Sequence, residues 1–496
     1  MQSLTKKSKI MQNFNGDGLK ARLLKGGALL GAGNGMEQAL RLGRNMLLAR
    51  ILAPEAFGLM AIILAINAAM ESFTQIGIRE AIVQNRNSEN DTYLNASWWL
   101  AFARSVGLLV VGLIASPWIG DFYHISANVF LLQLSFLAIL FNGSFSSKAY
   151  IALKKMEYSK WVMINHGGGA CGILTAIACS LAFHNVLALV VGFVVEAAAR
   201  CLLSFIICPY VPRLRFSEEH STALFAYAKG MFGLPILYLV FAQAPIFVLA
   251  KVVSPVELGL YSLTASLAQA PVLMAATLMN QMLMPAFSSR KDDKEWLNRT
   301  ILITTRTMVS VGLPITLFVT LYSGDLLSVI YGSRYTAAAA PFAILFASAL
   351  LGAFSIPIIN VYLAIGQPRL HRRFSCIRAV LVVLLVYPAV KMFGMSGAAA
   401  TGFIAMAIGY VFQVMRMRRL TNLDVLKYFG CFLFAAGLAV LVYPVWLATN
   451  GVFPNDPMKN LLFGIIACAV AYGLLGAAVL KSSRLRNIFW GRESVQ

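Results

Sequence analysis

Fourteen runs of about 20 mostly apolar residues follow one another along this 496-residue chain, separated by short polar segments. A helix of about 20 residues crosses the hydrocarbon core of a bilayer, which is about 30 Å thick. The composition agrees, because 12% of the residues are charged whereas soluble domains carry about 25%. The sequence therefore predicts an all-α polytopic membrane protein with spans at about 26–50, 56–78, 94–116, 127–150, 161–183, 186–208, 222–250, 256–284, 301–322, 337–365, 375–393, 396–415, 428–449 and 461–480.

Basic residues are distributed unevenly between alternate loops. With the N-terminus in the cytoplasm, 31 of the 41 Lys and Arg residues fall in segments on the cytoplasmic side. The opposite side carries Arg50, Lys251, Arg334, Lys391 and Lys459. This asymmetry follows the positive-inside rule. We therefore predict that both termini are cytoplasmic, and that the net charge of +21 reflects topology rather than nucleic-acid binding.

A short motif at the end of the first span recurs 201 residues later. Leu48–Leu59 aligns without a gap with Leu249–Leu260, and each copy has a proline followed four residues later by a glycine. We expect the proline to stop one helix and the glycine to allow a tight re-entry into the next. Parallel repeats of this kind form two lobes with a site between them. The predicted organisation is a basic cytoplasmic segment (1–25), an N-lobe (26–210), a C-lobe (211–420), two accessory spans (421–480) and a basic cytoplasmic tail (481–496).

The first span carries charges that a lipid-facing helix would not tolerate. Its polar side chains recur every three or four residues and share one helical face, which includes Asn34, Glu37, Gln38, Arg41 and Arg44. An arginine at the centre of an inserted helix costs roughly 2.5 to 3.5 kcal/mol, so this face is expected to line a cavity. Guanidinium groups bind phosphate oxygens in bidentate geometry, which makes Arg41 and Arg44 candidates to receive the phosphate groups of a lipid-linked substrate. The alternative is a structural i,i+4 pair between Glu37 and Arg41, which leaves Arg44 unexplained.

Three further ionisable residues lie inside other predicted spans. Glu71 in the second span is a candidate coupling site for a proton or a sodium ion, or a counter-charge for an arginine of the first span. Arg104 and Arg306 lie nearer the cytoplasmic ends of their helices. There they either line the cavity or extend to the membrane interface.

The fifth and sixth spans also carry ionisable residues. Glu196 is a second candidate for ion coupling, although its i,i+4 spacing from Arg200 favours a structural pair. His166 precedes three glycines that we expect to be flexible. It is expected to pack in the core or, alternatively, to take part in proton transfer.

Sequence signals of catalysis, of a metal site and of a resident cofactor are absent. The external loops carry no DxD-like acidic pair, the chain has no GxxxxGK motif, and loops this short cannot assemble a Ser/His/Asp set. The seven cysteines have no metal-ligand spacing with histidine. We therefore predict a transporter rather than an enzyme. We predict no cofactor, and H⁺ or Na⁺ is the candidate coupling ion.

Four motifs resemble those of the Wzx-type polysaccharide flippases, especially the subgroup similar to the colanic acid exporter. They are Ala53-Pro-Glu-Ala-Phe-Gly58, Gly77–Gln84, Leu283–Phe287 and Tyr331–Tyr335. The resemblance implies a MATE-like fold, with two six-helix lobes in a V around a central cavity and two extra C-terminal helices. It also implies alternating-access export of undecaprenyl-diphosphate-linked oligosaccharide repeat units. These units would move from the cytoplasmic to the periplasmic leaflet of a bacterial inner membrane, for exopolysaccharide, capsule or O-antigen synthesis.

The resemblance further implies membrane lipids, a polysaccharide polymerase and chain-length or export machinery as partners. One position departs from the family pattern, because Gln75 stands where the family often has Asp. An ion-coupling role is then either lost or taken over by Glu71. Since the first span starts in the cytoplasm, Arg41 and Arg44 fall in its outer half. We expect them to hold the diphosphate late in transport, after entry has depended on Arg104, Arg306 or loop lysines.

Two other classes of protein remain open at this point. A MATE-type ion-coupled antiporter of small molecules would share the fold, but a cavity that carries arginines disfavours the cations that such transporters export. A membrane enzyme of the same polysaccharide pathway would need a large external loop with catalytic residues, and the loops here are short.

Overall fold

The computed structural model describes residues 19–73, 77–85, 88–213 and 234–481, and every regular element in these ranges is helical. The first ten α-helices are α1 (Leu19–Ile51), α2 (Pro54–Phe73), α3 (Ile78–Gln84), α4 (Asp91–Phe122), α5 (Val129–Ser135), α6 (Leu137–Gly143), α7 (Ser147–Lys154), α8 (Tyr158–Phe183), α9 (Leu187–Ile207) and α10 (Leu234–Val252). They are followed by α11 (Pro255–Ser289), α12 (Lys294–Leu321), α13 (Ser323–Ile330), α14 (Ala339–Phe354), α15 (Ile356–Ala364), α16 (Pro368–Thr421), α17 (Val425–Ala439), α18 (Val442–Val452) and α19 (Pro457–Lys481).

Eleven helical segments of the described ranges are long and apolar enough to cross a membrane. One of them, α16, contains two antiparallel helices, because Gly394 interrupts it with φ 55° and ψ −132°. Gly397 and Gly409 of the second half face Ala389 and Arg378 of the first half. The predicted pair of spans at 375–393 and 396–415 is thus present as a hairpin. The predicted all-α multi-span fold is confirmed, while the number of fourteen spans stays a prediction.

The chain divides into two compact units, Met1–Ser262 and Leu263–Gln496. In the first unit α8 packs along α9 and also contacts α1, while α10 packs against α2. In the second unit α12 packs against α17 and α14 packs against α16. The lobe boundaries derived from the repeat stay predictions, and the basic segments before residue 19 and after residue 481 lie outside the described residues.

The two copies of the repeated motif have the same local structure and contact each other within the first unit. Pro54 begins α2 and Pro255 begins α11, where a missing N–H costs nothing because the first turn of a helix leaves it unpaired. Gly58 and Gly259 lie one turn further on, inside the helices. A Cβ on Gly58 would collide with the carbonyl oxygen of Pro255, and a Cβ on Gly259 with that of Pro54. The expectation that these glycines form the re-entry turn is therefore wrong, because they allow two helix starts to approach backbone to backbone.

Candidate functional site

Five ionisable side chains from α1, α8 and α9 meet inside the first unit, and we call them the charge cluster: Glu37, Arg41, His166, Glu196 and Arg200. Arg41 Nη2 donates to Glu37 Oε1 at 2.9 Å and also to Glu196 Oε1. Arg200 Nη2 lies 2.7 Å from Glu196 Oε1 and 3.3 Å from Glu37 Oε1. His166 Nδ1 lies 2.6 Å from Glu37 Oε2. Two carboxylates thus face two guanidinium groups, and the cluster is neutral when His166 is neutral.

Glycines of α8 bring the charge cluster together by letting α9 approach closely. A Cβ on Gly168 would collide with Arg200, and a Cβ on Gly172 would collide with Glu196. The three glycines after His166, which we expected to be flexible, lie within α8 and contribute to its contact surface. The close approach of the α8 and α9 backbones places Glu196 and Arg200 within contact distance of the α1 side chains.

The predicted cavity face of α1 is therefore partly occupied by contacts within the unit. Glu37 and Arg41 form the i,i+4 pair that their spacing allowed, and contacts to α8 and α9 extend it. Asn34 is exposed and Gln38 is partly exposed. A role of these four residues in binding substrate stays a prediction.

Two of the predicted cationic residues lie away from the charge cluster's ion pairs. Arg44 is partly buried and donates to Asn45 Oδ1 at 3.1 Å, and within the described ranges it forms no ion pair. Arg306 lies in the second unit, with its guanidinium carbon 4.9 Å from the ring centroid of Phe434 on α17. Both remain predicted, not demonstrated, contacts for substrate.

A cavity of about 510 Å³ lies in the first unit and is lined by charged, aromatic and amide side chains. We call it the arginine–aromatic cavity. Its chemically informative residues are Arg79, Arg104, Arg200, Glu71, Glu80, Phe145, Tyr150, Trp161, Asn142 and Asn165. Because Arg200 belongs to both sites, the cavity directly adjoins the charge cluster.

Hydrogen bonds hold the acidic wall of this cavity in place. Arg104 Nη2 donates to the backbone carbonyl of Glu71 at 2.8 Å, and Asn142 Nδ2 donates to Glu71 Oε1 at 3.2 Å. The sequence analysis predicted Glu71 to couple an ion or to be a counter-charge for an arginine of the first span. The bond from Arg104 comes from α4 instead and reaches the glutamate main chain, so it tests neither alternative. The ion-coupling role itself stays a prediction.

Three aromatic side chains also line the cavity. The ring centroids of Phe145 and Tyr150 lie 5.4 Å apart, and each of these rings lies within 6.1 Å of Trp161. The guanidinium carbon of Arg79 lies 5.0 Å from the Trp161 ring centroid, in a cation–π arrangement. Guanidinium groups bind phosphate oxygens, and aromatic faces pack against the apolar faces of ring-shaped ligands. The cavity therefore suits a ligand with both an anionic and a bulky, partly polar portion.

Sequence reasoning named Glu71 and Arg104 as candidate site residues and Arg200 only as the structural partner of Glu196. It missed Arg79 and the aromatic residues of the cavity. Arg79 entered the sequence analysis only as part of the Gly77–Gln84 motif that carries the family resemblance. Its ring partner Trp161 lies 82 positions later in the sequence, and no local periodicity connects the two. Gln75 lies outside the described residues. Within the described ranges no group of His, Cys, Asp and Glu residues could hold a metal ion.

Comparison with solved structures defines the class of protein. The inward-closed lipid II flippase MurJ matches with a TM-score of 0.69 at 13% identity, over 90% of this chain and 98% of that one. An inward-facing multidrug resistance MATE family transporter of the MOP superfamily matches with a TM-score of 0.62 at 15% identity, over 78% of this chain and 96% of that one. The protein is therefore a multi-pass membrane protein with the fold of these transporters, which confirms the predicted MATE-like fold.

Sequence comparison then identifies the family. An uncharacterized membrane protein in the cps region of Klebsiella pneumoniae is 23% identical over 368 residues, covering 73% of this chain and 75% of the relative. The succinoglycan biosynthesis transport protein ExoT of Rhizobium meliloti is 23% identical over 295 residues, 58% of each chain. The lipopolysaccharide biosynthesis protein WzxC of Escherichia coli is 22% identical over 377 residues, covering 75% of this chain and 74% of the relative. A family model described as polysaccharide biosynthesis protein matches residues 47–340, and the chain belongs to this family.

Proposed function

We propose that this protein is a flippase that moves a lipid-linked oligosaccharide from the cytoplasmic to the periplasmic leaflet of a bacterial inner membrane, with both of its termini in the cytoplasm. The observation that carries the proposal is the arginine–aromatic cavity in a member of the polysaccharide biosynthesis family. Family membership supports a carbohydrate cargo, and the arginines support a cargo that carries phosphate. The names of ExoT and MurJ, a transport protein and a flippase, favour transport over catalysis.

In this proposal three kinds of side chain in the cavity bind different parts of the substrate. Arg79, Arg104 and Arg200 bind the diphosphate of the substrate. The rings of Tyr150 and Trp161 pack against the sugar, while nearby amides hydrogen-bond its hydroxyl groups. The polyprenyl chain remains in the bilayer, because a chain of hydrocarbon gains nothing from entering a polar cavity.

The charge cluster gives a means of linking substrate binding to helix movement. Arg200 pairs with Glu196 and Glu37 at 2.7 and 3.3 Å and also lines the cavity. A phosphate that arrives at Arg200 competes for its N–H donors with these two carboxylates. Because Glu37 lies on α1 and Glu196 on α9 itself, it is the Arg200–Glu37 contact between α9 and α1 that the phosphate weakens. Arg44 forms no salt bridge in the described ranges. Movement of α1 would then bring it toward the substrate, at the later stage that its position in the outer half of the span predicts.

The second candidate function is that of an ion-coupled small-molecule antiporter. The MATE transporter fold favours it, and Glu71, hydrogen-bonded to Asn142 in the cavity wall, is the acid that would bind H⁺ or Na⁺. Three arginines in the same cavity repel cationic cargo, however, and attract anions. The anionic lipid-linked cargo is therefore the proposal that the electrostatics support better.

A cellular experiment tests the proposed function. In the native host, deletion of the gene should leave the lipid-linked repeat unit in the cytoplasmic leaflet, where an externally added glycan-modifying probe cannot reach it. Arg79→Ala should reproduce most of this defect, because loss of a hydrogen bond to a charged group costs about 1.5 to 3 kcal/mol, or about tenfold to hundredfold in affinity. The matched control is Arg290→Ala, since Arg290 also lies over a tryptophan ring, 5.3 Å from the centroid of Trp296, outside the cavity lining. Normal delivery in the deletion strain would refute the proposed function.

A further inference from the structure

A second cavity, of about 960 Å³, opens in the second unit where the two ends of the α16 hairpin meet the start of α17. Four arginines line it: Arg373 from the first turns of α16, and Arg416, Arg418 and Arg419 from its last turns. We call it the basic groove. The positive-inside pattern assigns this end of the hairpin to the cytoplasmic face.

The basic groove retains most of its positive charge. Asp424 is the acidic residue in its lining, and this carboxylate is already engaged as the N-cap of α17. Its Oδ1 accepts the backbone N–H of Lys427 at 3.1 Å, and its Oδ2 lies 3.8 Å from Lys427 Nζ. The Nε atom of Arg416 is buried and finds no hydrogen-bond partner among the described residues. A buried donor without an acceptor costs free energy, so Arg416 would gain from a side-chain movement that brings this atom to an anionic oxygen in the groove.

Apolar side chains continue the groove beyond the arginines. Phe412 and Met415 are 51% and 49% exposed, and Leu426 at the start of α17 is 88% exposed. These three residues line the same cavity as the four arginines. The surface is thus amphipathic in the way that a phospholipid is, with a site for an anionic group next to a site for hydrocarbon.

We propose that the basic groove binds an anionic phospholipid of the cytoplasmic leaflet, with its phosphate among Arg373, Arg416 and Arg419 and an acyl chain along Phe412 and Met415. Basic pockets between membrane helices on the cytoplasmic side are suited to such headgroups, because guanidinium forks match phosphate oxygens. A soluble phosphate would use the arginines but not the exposed apolar wall. Lipid binding here does not depend on the cargo that the protein transports.

Native mass spectrometry of the purified full-length protein tests this assignment, using phosphatidylglycerol added to detergent micelles and phosphatidylcholine as the zwitterionic comparison. The double variant Arg373→Gln/Arg419→Gln removes two exposed charges from the groove. The matched control, Lys291→Gln/Lys294→Gln, removes two exposed charges of the same unit, one from the segment between α11 and α12 and one from the first residue of α12. Arg416→Gln, at the groove's partly buried arginine, is a third, independent variant.

We expect phosphatidylglycerol to bind the wild-type protein more tightly than phosphatidylcholine. The groove double variant should lower its apparent affinity by about tenfold or more, and Arg416→Gln by about fivefold. The lysine control should bind as the wild type does. Equal loss in the groove and control pairs would show attraction by the charged surface alone and overturn the proposal. Equal binding of the two lipids would also overturn it, and so would complete displacement of phosphatidylglycerol by inorganic phosphate at a concentration equal to that of the lipid.

Discussion

Glu196 is the most buried member of the charge cluster, with 8% of its side chain exposed. It accepts a hydrogen bond from Arg41 and forms an ion pair with Arg200 at 2.7 Å. The burial of this carboxylate determines how much the charge cluster contributes to the free energy of unfolding. Two guanidinium groups that lose this carboxylate would keep a single shared partner, Glu37, which is already bonded to His166. Unpaired charge in a low-dielectric site is costly, whereas an exposed ion pair contributes little.

Glu196→Gln should therefore destabilise the purified protein by about 2 kcal/mol, less than the 3 to 5 kcal/mol of a fully buried pair because both arginines are partly exposed. Thermal unfolding in detergent measures the change. Glu89→Gln is the matched control, since Glu89 pairs with Lys155 at 2.9 Å and both side chains are about half exposed. We expect the control to differ from wild type by at most about 0.5 kcal/mol. Equal effects of the two variants would mean that the cluster has no special structural role.

Single residues also mark the limit of what the sequence predicts. Helical periodicity places Glu37 and Arg41 on one face, and the structure confirms that they pair. Periodicity does not identify the surface that this face meets, and His166 lies 129 positions away from Glu37. The sequence analysis therefore predicted that the arginines of α1 bind substrate. In the structure Arg41 forms ion pairs with two glutamates of its own unit.

At the scale of helices, the repeated motif joins α2 to α11. The contact is reciprocal, because each glycine faces the proline carbonyl of the other copy. A backbone carbonyl at the start of a helix cannot move away as a flexible side chain can.

Gly58→Ala and Gly259→Ala should each destabilise the protein by about 1 to 3 kcal/mol, since each inserts a methyl group into a contact with no free space. The double variant should cost less than the sum of the single variants, because both methyl groups separate the same two helix starts. Thermal unfolding in detergent gives all three values. Gly437→Ala on α17 is the control, as its Cβ would meet nothing within 4 Å, and helix propensity should make it neutral or stabilising. Strict additivity of the two substitutions would contradict the reciprocal contact.

Helix positions were predictable because the length of an apolar run and the charge of a loop are both properties of consecutive residues in the sequence. The break at Gly394 falls between the predicted eleventh and twelfth spans, and the repeat offset of 201 residues places Pro54 and Pro255 at equivalent helix starts. The contact between the repeats was not predictable from pattern, since a glycine one turn into a helix and a glycine in a turn have the same sequence signal. The aromatic side of the cavity was missed for a related reason: it is assembled from α7, α8 and the segment before α7, and each contributes a ring that is unremarkable alone.

At the scale of the whole molecule, the loop charges predict which segments face the cytoplasm. In a variant without native cysteines, Glu89→Cys should react with a membrane-impermeant maleimide only after the cells are opened. Lys459→Cys, in the first turn of α19 at the predicted external side, should react in intact cells. Both positions are exposed, so the difference in labelling reports sidedness rather than burial. The opposite labelling pattern would invert the topology and place the basic groove on the outer face.

The central claim is that the protein moves an anionic lipid-linked oligosaccharide, and reconstituted transport tests it most directly. Purified protein is placed in liposomes that carry a fluorescent polyprenyl diphosphate oligosaccharide in both leaflets, under imposed proton and sodium gradients. An impermeant quencher then measures how fast the inner pool becomes accessible.

The account predicts rapid access with wild-type protein, at least about tenfold slower access with Arg79→Ala or Arg104→Ala, and wild-type rates with Arg290→Ala. A fluorescent phosphatidylcholine should stay in its leaflet. Access no faster than in protein-free liposomes, or equal transfer of phosphatidylcholine, would contradict the claim.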